Sequence, residues 1–470
     1  MTDSPSTTAA VTCPPSATHG LVAASGFTGF VGGVFLLGLF HPFQNIAYSA
    51  LAVMACTALG VFVPDLLWQK VQWRALSPEA GAGDWRRALT KFAGLLGSLG
   101  FLALLYWSFP EYYKPDPFYK NYWAMLSVVL PVWLVLALPY IYWVDRHMPE
   151  PHDSLWQMGC FVTVNWQEIH LGMLGQHLLG WLVKGFFLPL MFAYMCTDLG
   201  KILSYDFGRI DSFKAVYDFT YLALYFADVG LVCMTYLISL RLTDTHIRSS
   251  EPTMMGWITA IICYQPFYSL ISRQYFDYDS GGKAWGDWMS GQPELYALWG
   301  TLILVAAVIY LWATIAFGGR FSNLTHRGII TNGPYRYSKH PAYLAKNLSW
   351  WLISMPFMIA ASEAETIRHC LLLLMLNMIY YLRAKTEERH LALDPVYVEY
   401  AKWIDAHGLL RFLNRMPLIR HLASWRPPFG QRPLGWVWAD GVSSKGAAPE
   451  NAAGQAGREK KAKRKAENRT

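Results

Sequence analysis

Charge is scarce in this chain: only 15% of its 470 residues are Asp, Glu, Lys or Arg, against the roughly 25% usual in a soluble domain. With 54% of the residues hydrophobic, a soluble fold would have to hide an improbable apolar area in one or two cores. Cysteine is sparse too. The seven cysteines, at 13, 56, 160, 196, 233, 263 and 370, fall mostly inside apolar runs and form no Cys-x-x-Cys pair, so neither a zinc or other metal site nor a disulfide framework is expected. Residues 1–20, rich in Ser, Thr and Pro, lack a basic segment joined to an apolar core and do not read as a cleaved signal peptide. The formal net charge of +7 comes largely from membrane-flanking residues and a basic tail, and gives no reason to expect nucleic acid as a partner.

What the chain has in quantity is long apolar runs. About 20 residues at 1.5 Å rise cross a hydrocarbon core of about 30 Å, and runs of suitable length lie at 27–44, 46–66, 90–108, 122–144, 176–196, 217–240, 252–272, 295–317, 344–360 and 367–382. The expected fold is therefore all-α: a polytopic membrane helix bundle with about ten transmembrane helices. The first two runs form a hairpin around His41-Pro42-Phe43, and the last two a hairpin around Glu363 and Glu365. Lys184 interrupts the run at 176–196, and Pro189 is placed to kink it.

Basic residues orient such a bundle. The 67–91 connection carries Lys70, Arg74, Arg86, Arg87 and Lys91, and the 318–340 connection carries Arg320, Arg327, Arg336 and Lys339. Both are predicted to be cytoplasmic, with both termini on that side, in a bacterial inner membrane or one like the endoplasmic reticulum. The predicted organisation is a flexible end at 1–26, a bundle at 27–317 forming a lipid pocket, a cosubstrate-binding region at 318–412, a peripheral segment at 413–435 and a disordered basic tail at 436–470.

Two charged patches stand out against this apolar background. Residues 333–343 read GPYRYSKHPAY, and after two apolar segments residues 383–391 read RAKTEERHL, followed by Tyr397 and Tyr400 in YVEY. Arg383 and Glu387 are four apart and share a helix face, while Glu388 is rotated by about 100° toward another partner. Pro341 restricts the backbone beside His340 and Tyr343 and suits the start of a helix. This ordered pair of motifs resembles the isoprenylcysteine carboxyl methyltransferase and phospholipid methyltransferase superfamily of integral membrane enzymes over roughly 318–412.

The resemblance implies S-adenosylmethionine on the cytosolic side and a lipid-like or isoprenoid acceptor entering from the membrane. It places Tyr335, His340, Pro341 and Tyr343 at the border of the cosubstrate pocket, Glu387 and Glu388 at the cosubstrate's amino-acid end, and Arg383 and His340 nearer the chemistry. His340 and His390 are the candidate bases. The chain departs from the family pattern at Lys339, where Arg is common, and at Leu344-Ala345-Lys346, where carboxyl methyltransferases carry a small residue and Gly. It also resembles, more distantly, the ten-span sterol double-bond reductases. Their Arg-His-x-Asn-Tyr-x-Gly-Asp element aligns with Lys339–Lys346, but Ala342, Ala345 and Lys346 stand at its Asn, Gly and Asp. Reduction by NADPH is the alternative activity.

The first three hundred residues carry unexplained polarity, since ionisable groups at membrane depth are functional candidates. Glu168, at the start of one run, and Asp228, inside the next, are candidate catalytic or binding residues. A non-enzymatic lipid-binding protein or transporter is a further reading, although no internal repeat relates the first five runs to the last five. Membrane lipids are the expected partners, and no obligate protein partner is evident.

Overall fold

The computed structural model describes residues 12–113, 117–280, 282–359 and 362–412. The peripheral segment expected at 413–435 and the basic tail expected at 436–470 lie outside the described residues.

Capping side chains and prolines cut the apolar runs into helices. α1 (Gly20–Phe40) ends where His41 takes a left-handed backbone ahead of Pro42, and α2 (Ile46–Leu67) begins under Asn45, whose side chain accepts from the Ala47 amide. The two form the expected hairpin. A Cβ at Gly29 would lie 2.5 Å from the Cys56 carbonyl oxygen, so only glycine lets these backbones meet. Asp84 caps α3 (Trp85–Ser108). After α4 (Lys120–His147), Asp153 caps the short α5 (Ser154–Val162), which packs along α3. α6 (Leu171–Leu203) runs for 33 residues straight through Lys184 and Pro189. It packs against α7 (Phe213–Leu237), and the main apolar core sits among α2, α6 and α7, around Met54, Phe187, Met195 and Met234.

The C-terminal part consists of α8 (Met254–Ile261), α9 (Pro293–Ile315), α10 (Pro341–Ser354), α11 (Glu363–Leu391) and α12 (Pro395–His407). Pro293, Pro341 and Pro395 each occupy the first helical turn, where the missing amide costs nothing. α10 packs on α9, and α8 on α11. One two-stranded ribbon joins the halves of the chain: β1 (Ser249–Ser250) pairs antiparallel with β2 (Thr325–His326).

The protein is an all-α polytopic membrane bundle. Among the described residues eight helices are long and apolar enough to cross a membrane: α1, α2, α3, α4, α6, α7, α9 and α11. The count of ten is corrected at two places. The run at 252–272 breaks after α8 into a four-residue helix, Phe267–Leu270, and a π turn, Ile271–Tyr275. Pro266, without an amide hydrogen, stands at the break. The run at 344–360 holds only the 14-residue α10, about 21 Å at 1.5 Å per residue and too short to cross. It ends in a left-handed Met355 just before Pro356.

Two further expectations change. Within the end expected to be flexible at 1–26, α1 already starts at Gly20. Residues 14–18 lie along the 317–332 connection, with the Thr18 hydroxyl donating to the Phe317 carbonyl (2.8 Å), the Ala17 amide to Ile329 (2.9 Å) and Asn332 Nδ2 to the Thr18 carbonyl (2.7 Å). Several charges used for orientation are internal. Arg320 and Arg327 are each 2% exposed, and Arg87 and Lys91 both pair with Asp145, at 2.6 and 2.8 Å. A charge neutralised inside the protein says nothing about the leaflet it faces, so the orientation rests on Lys70, Arg86 and Arg336. With that orientation, a cysteine at exposed Ala82 in a cysteine-free background should resist an impermeant thiol reagent in intact cells and react after lysis. Labelling in intact cells would invert the bundle.

Candidate active site

α10 and α11 bring the two charged motifs together. The His340 ring stacks on Tyr343, centroids 5.4 Å apart and planes 4° from parallel. His340 Nε2 lies 3.2 Å from Glu388 Oε1, and the Tyr343 hydroxyl donates to Glu387 Oε2 at 2.8 Å. The pair of adjacent carboxylates is thereby divided. Glu388 is buried in a knot of cations, 3.2 Å from Lys339 Nζ and 3.0 Å from Lys385 Nζ. Glu387 is the one that lines the cavity together with Tyr335, His340, Tyr343 and Arg383. The two carboxylates thus border different cavities: about 100° of helix rotation turns Glu388 toward the lysines, where it lines a neighbouring cavity with Lys339, His340, Tyr343 and Lys385. Pro341 sits buried at the first turn of α10 and sets where His340 and Tyr343 project.

Arg383 is 7% exposed and has no carboxylate within ion-pair distance among the described residues. Its Nη2 donates to Asn323 Oδ1 at 2.6 Å, and its guanidinium lies over the rings of Tyr343 (5.1 Å) and Tyr264 (5.4 Å). Such a cage supports a cation without neutralising it, which leaves its charge to act on a ligand. Arg327, on the other side of the cavity, donates from Nη1 to the Thr235 carbonyl (2.7 Å), while its Nε and Nη2 have no partner.

Behind this cavity lies a second chamber with a shared wall. His340, Tyr343, Arg383 and Glu387 border both, and the inner one adds Tyr264, Tyr310, Thr314, Lys346 and Tyr380. Asp228 does not border it directly. It stands buried one layer back and accepts from the hydroxyls of Tyr310 (2.9 Å) and Thr314, so it positions the wall. Glu168 is corrected outright: it is exposed on the Trp166–Glu168 turn that precedes α6, outside both cavities. Its apparent place at the head of an apolar run came from the neighbouring Trp166 and Ile169.

The loop that closes the cavity is held by a neutral histidine. Burial, and then the nearby Arg248, holds the His326 imidazole well below its ordinary pKa. Its Nδ1 accepts from the Gly328 amide (3.0 Å), so Nε2 carries the hydrogen donated to Asp394 (2.7 Å) at the cap of α12. Asn323, Arg327, Tyr264, Tyr310 and Lys346 were not picked as site residues from the sequence. Lys346 had one visible signal: a lysine on the turn after Tyr343, where the related motifs carry other residues. Among the described residues no three His, Cys, Asp or Glu side chains are grouped to hold a metal.

Comparison with known proteins points to the same part of the chain. One relative is the "Cobalt-zinc-cadmium resistance protein CzcN" of Cupriavidus metallidurans, 29% identical over 147 residues, which are 31% of this chain. The chain spans 60% of the length of that relative. No solved structure matches. A family model matches residues 297–393, starting ahead of 318 and so taking in most of α9 with its Tyr310 and Thr314. That model is that of the isoprenylcysteine carboxyl methyltransferase (ICMT) family, and the match lies in the C-terminal region of this chain.

Proposed function

We propose that this protein is an integral membrane methyltransferase that uses S-adenosylmethionine and transfers its methyl group to a lipid-like or isoprenoid acceptor. The observation that carries this reading is the shared wall. The residues of the two motifs border an outer cavity and an inner, tyrosine-lined chamber at once, so a donor in one and an acceptor in the other would meet at Tyr343 and Arg383.

The donor set fits the cosubstrate. Glu387 is the carboxylate available for its ammonium, and Arg327, with two unpartnered guanidinium donors, is the cation available for its carboxylate. Tyr335 and Phe317 offer aromatic surface in the same cavity. When bound, the sulfonium supplies an already activated methyl group, whose transfer needs alignment and exclusion of water. The chain's own part is therefore positional. Tyr343 fixes Glu387, while Glu388 holds His340, Lys339 and Lys385 in one arrangement. Arg383, uncompensated and desolvated, would attract an anionic or strongly polar reacting end of the acceptor. Asp228 orients the hydroxyls of Tyr310 and Thr314 that face it, and Lys346 lies over the rings of Tyr310, Trp350 and Tyr380.

The reading places the cavity at the cytoplasmic surface and the acceptor's entry from the bilayer. Nothing in the site favours NADPH. Labelled S-adenosylmethionine offered to membranes containing the protein should place its methyl in a lipid fraction. Recovery only in small water-soluble thiols or amines would defeat the lipid acceptor while keeping methyl transfer, and recovery nowhere would defeat both.

A further inference from the structure

A second cavity lies in the amino-terminal bundle and shares no lining residue with the site above. Its volume is about 390 Å³, within the range of small-ligand pockets, which begins at roughly 300 Å³. One wall is apolar, with Trp133, Leu136, Ala137 and Ile141 of α4 and Trp181 of α6. Leu136 is exposed on the outer face of the bundle, so the cavity opens sideways, toward where the lipid tails would be.

The opposite wall is cationic. Lys91 reaches Asp153 at 3.4 Å and Asp145 at 2.8 Å, Arg241 reaches Asp153 at 3.2 Å, and Arg87 takes the rest of Asp145 at 2.6 Å. Burial alone would raise the Asp153 carboxyl, but Lys91 and Arg241 outweigh it and hold it below its ordinary pKa, so it counts as an anion. Arg87 also meets Asp84 at 3.5 Å, so these three cations have three carboxylates among them and the cation left over is Lys184. Lys184 lines the cavity with its Nζ 5.4 Å from the Trp181 ring and no carboxylate within 4 Å among the described residues. It stands thirteen residues into α6, about 20 Å along the helix, where bulk water is not at hand. His177, which also lines the cavity, is bonded to Ser98 Oγ (2.7 Å) and adds no negative charge. A site with surplus positive charge on one side and an apolar groove on the other lacks one component, an anion carrying a chain.

We infer that this cavity binds a single-chain amphiphile with an anionic head, a carboxylate or a phosphate monoester, its head beside Lys184 and its tail along α4. The charge complementarity selects this occupant over a neutral lipid or a sterol. The cavity is separate from methyl transfer, so the inference stands whether or not the proposed activity does.

The test uses the full-length protein in neutral detergent and compares oleate, lysophosphatidate and oleyl alcohol, three ligands with aliphatic chains and different heads. The native protein should bind the better anion at least about five-fold more tightly than the alcohol, a difference near 1 kcal/mol. Lys184→Gln should erase the preference and Lys184→Arg keep it. Oleate ahead of lysophosphatidate would identify a carboxylate head, and the reverse order a phosphate. The thermal midpoint of Lys184→Gln without ligand should hold or rise, because the substitution removes a buried amine that no carboxylate among the described residues faces. Equal affinity for oleate, lysophosphatidate and oleyl alcohol in the native protein, or an unchanged preference in a folded Lys184→Gln, would overturn the inference.

Discussion

Arg320→Met is expected to destabilise the protein by about 3–5 kcal/mol, the usual result of breaking a buried charge network by removing one partner. Arg320 has no exposed side-chain surface and stands 3.4 Å from both Asp65 and Asp244, themselves 1% exposed. Its guanidinium also donates to the Thr18 hydroxyl and the Thr243 carbonyl. Methionine fills similar space but leaves Asp65 with no cation except distant ones, in the lower part of a helix otherwise apolar. Asp244 keeps Arg248 at 3.0 Å and suffers less. The measurement is a thermal melt in detergent, with Arg320→Met beside the double variant Arg320→Met, Asp65→Asn. The double variant should recover part of the loss, and a midpoint unchanged in the single variant would show that the network carries no stability.

The second large effect is on cosubstrate binding. Glu387→Gln should lower the affinity for S-adenosylhomocysteine by roughly 10- to 100-fold, the equivalent of the roughly 1.5–3 kcal/mol of a charge-assisted contact. Glutamine can still accept from Tyr343, so the wall keeps its shape while the charge goes. Glu388→Gln should behave differently. It strands Lys339, Lys385 and His340 around a neutral amide and should appear first as lost stability. If titration calorimetry instead finds Glu388→Gln folded and the weaker binder of the two, the roles of the adjacent carboxylates are exchanged.

Much of the site was legible because it is local in sequence. The spacing Arg383, Glu387, Glu388 on one helix and the start of a helix at Pro341 were enough to place both motifs at helix ends, and the resemblance brought them to one site. The division of labour between Glu387 and Glu388 was not legible, since it depends on where Lys339 arrives from another helix. The same holds for Asn323 and Tyr264, which touch Arg383 across 60 and 119 positions of chain. Hydropathy found the hairpins but not the break at 252–272, because apolar content is similar in a crossing helix and in short helices packed against α11. Arg320 and Arg327 misled for a related reason. A positive loop and a buried arginine read alike until the acids 255 and 76 residues away are seen to meet Arg320.

The strap formed by residues 14–18 has a bearing on how the molecule is made. Those residues are made before any of the helices described above, yet their partners at 317–332 follow some three hundred positions later. Arg74 reaches the Ala17 carbonyl early, but the Thr18 hydroxyl and the Ala17 amide must wait while seven helices enter the membrane, and they dock only once α9 and the connection after it have been synthesised. A segment made before α1 is thus fastened only after α9. A fusion partner placed directly before residue 14 would burden that final fastening more than it would the insertion of any helix.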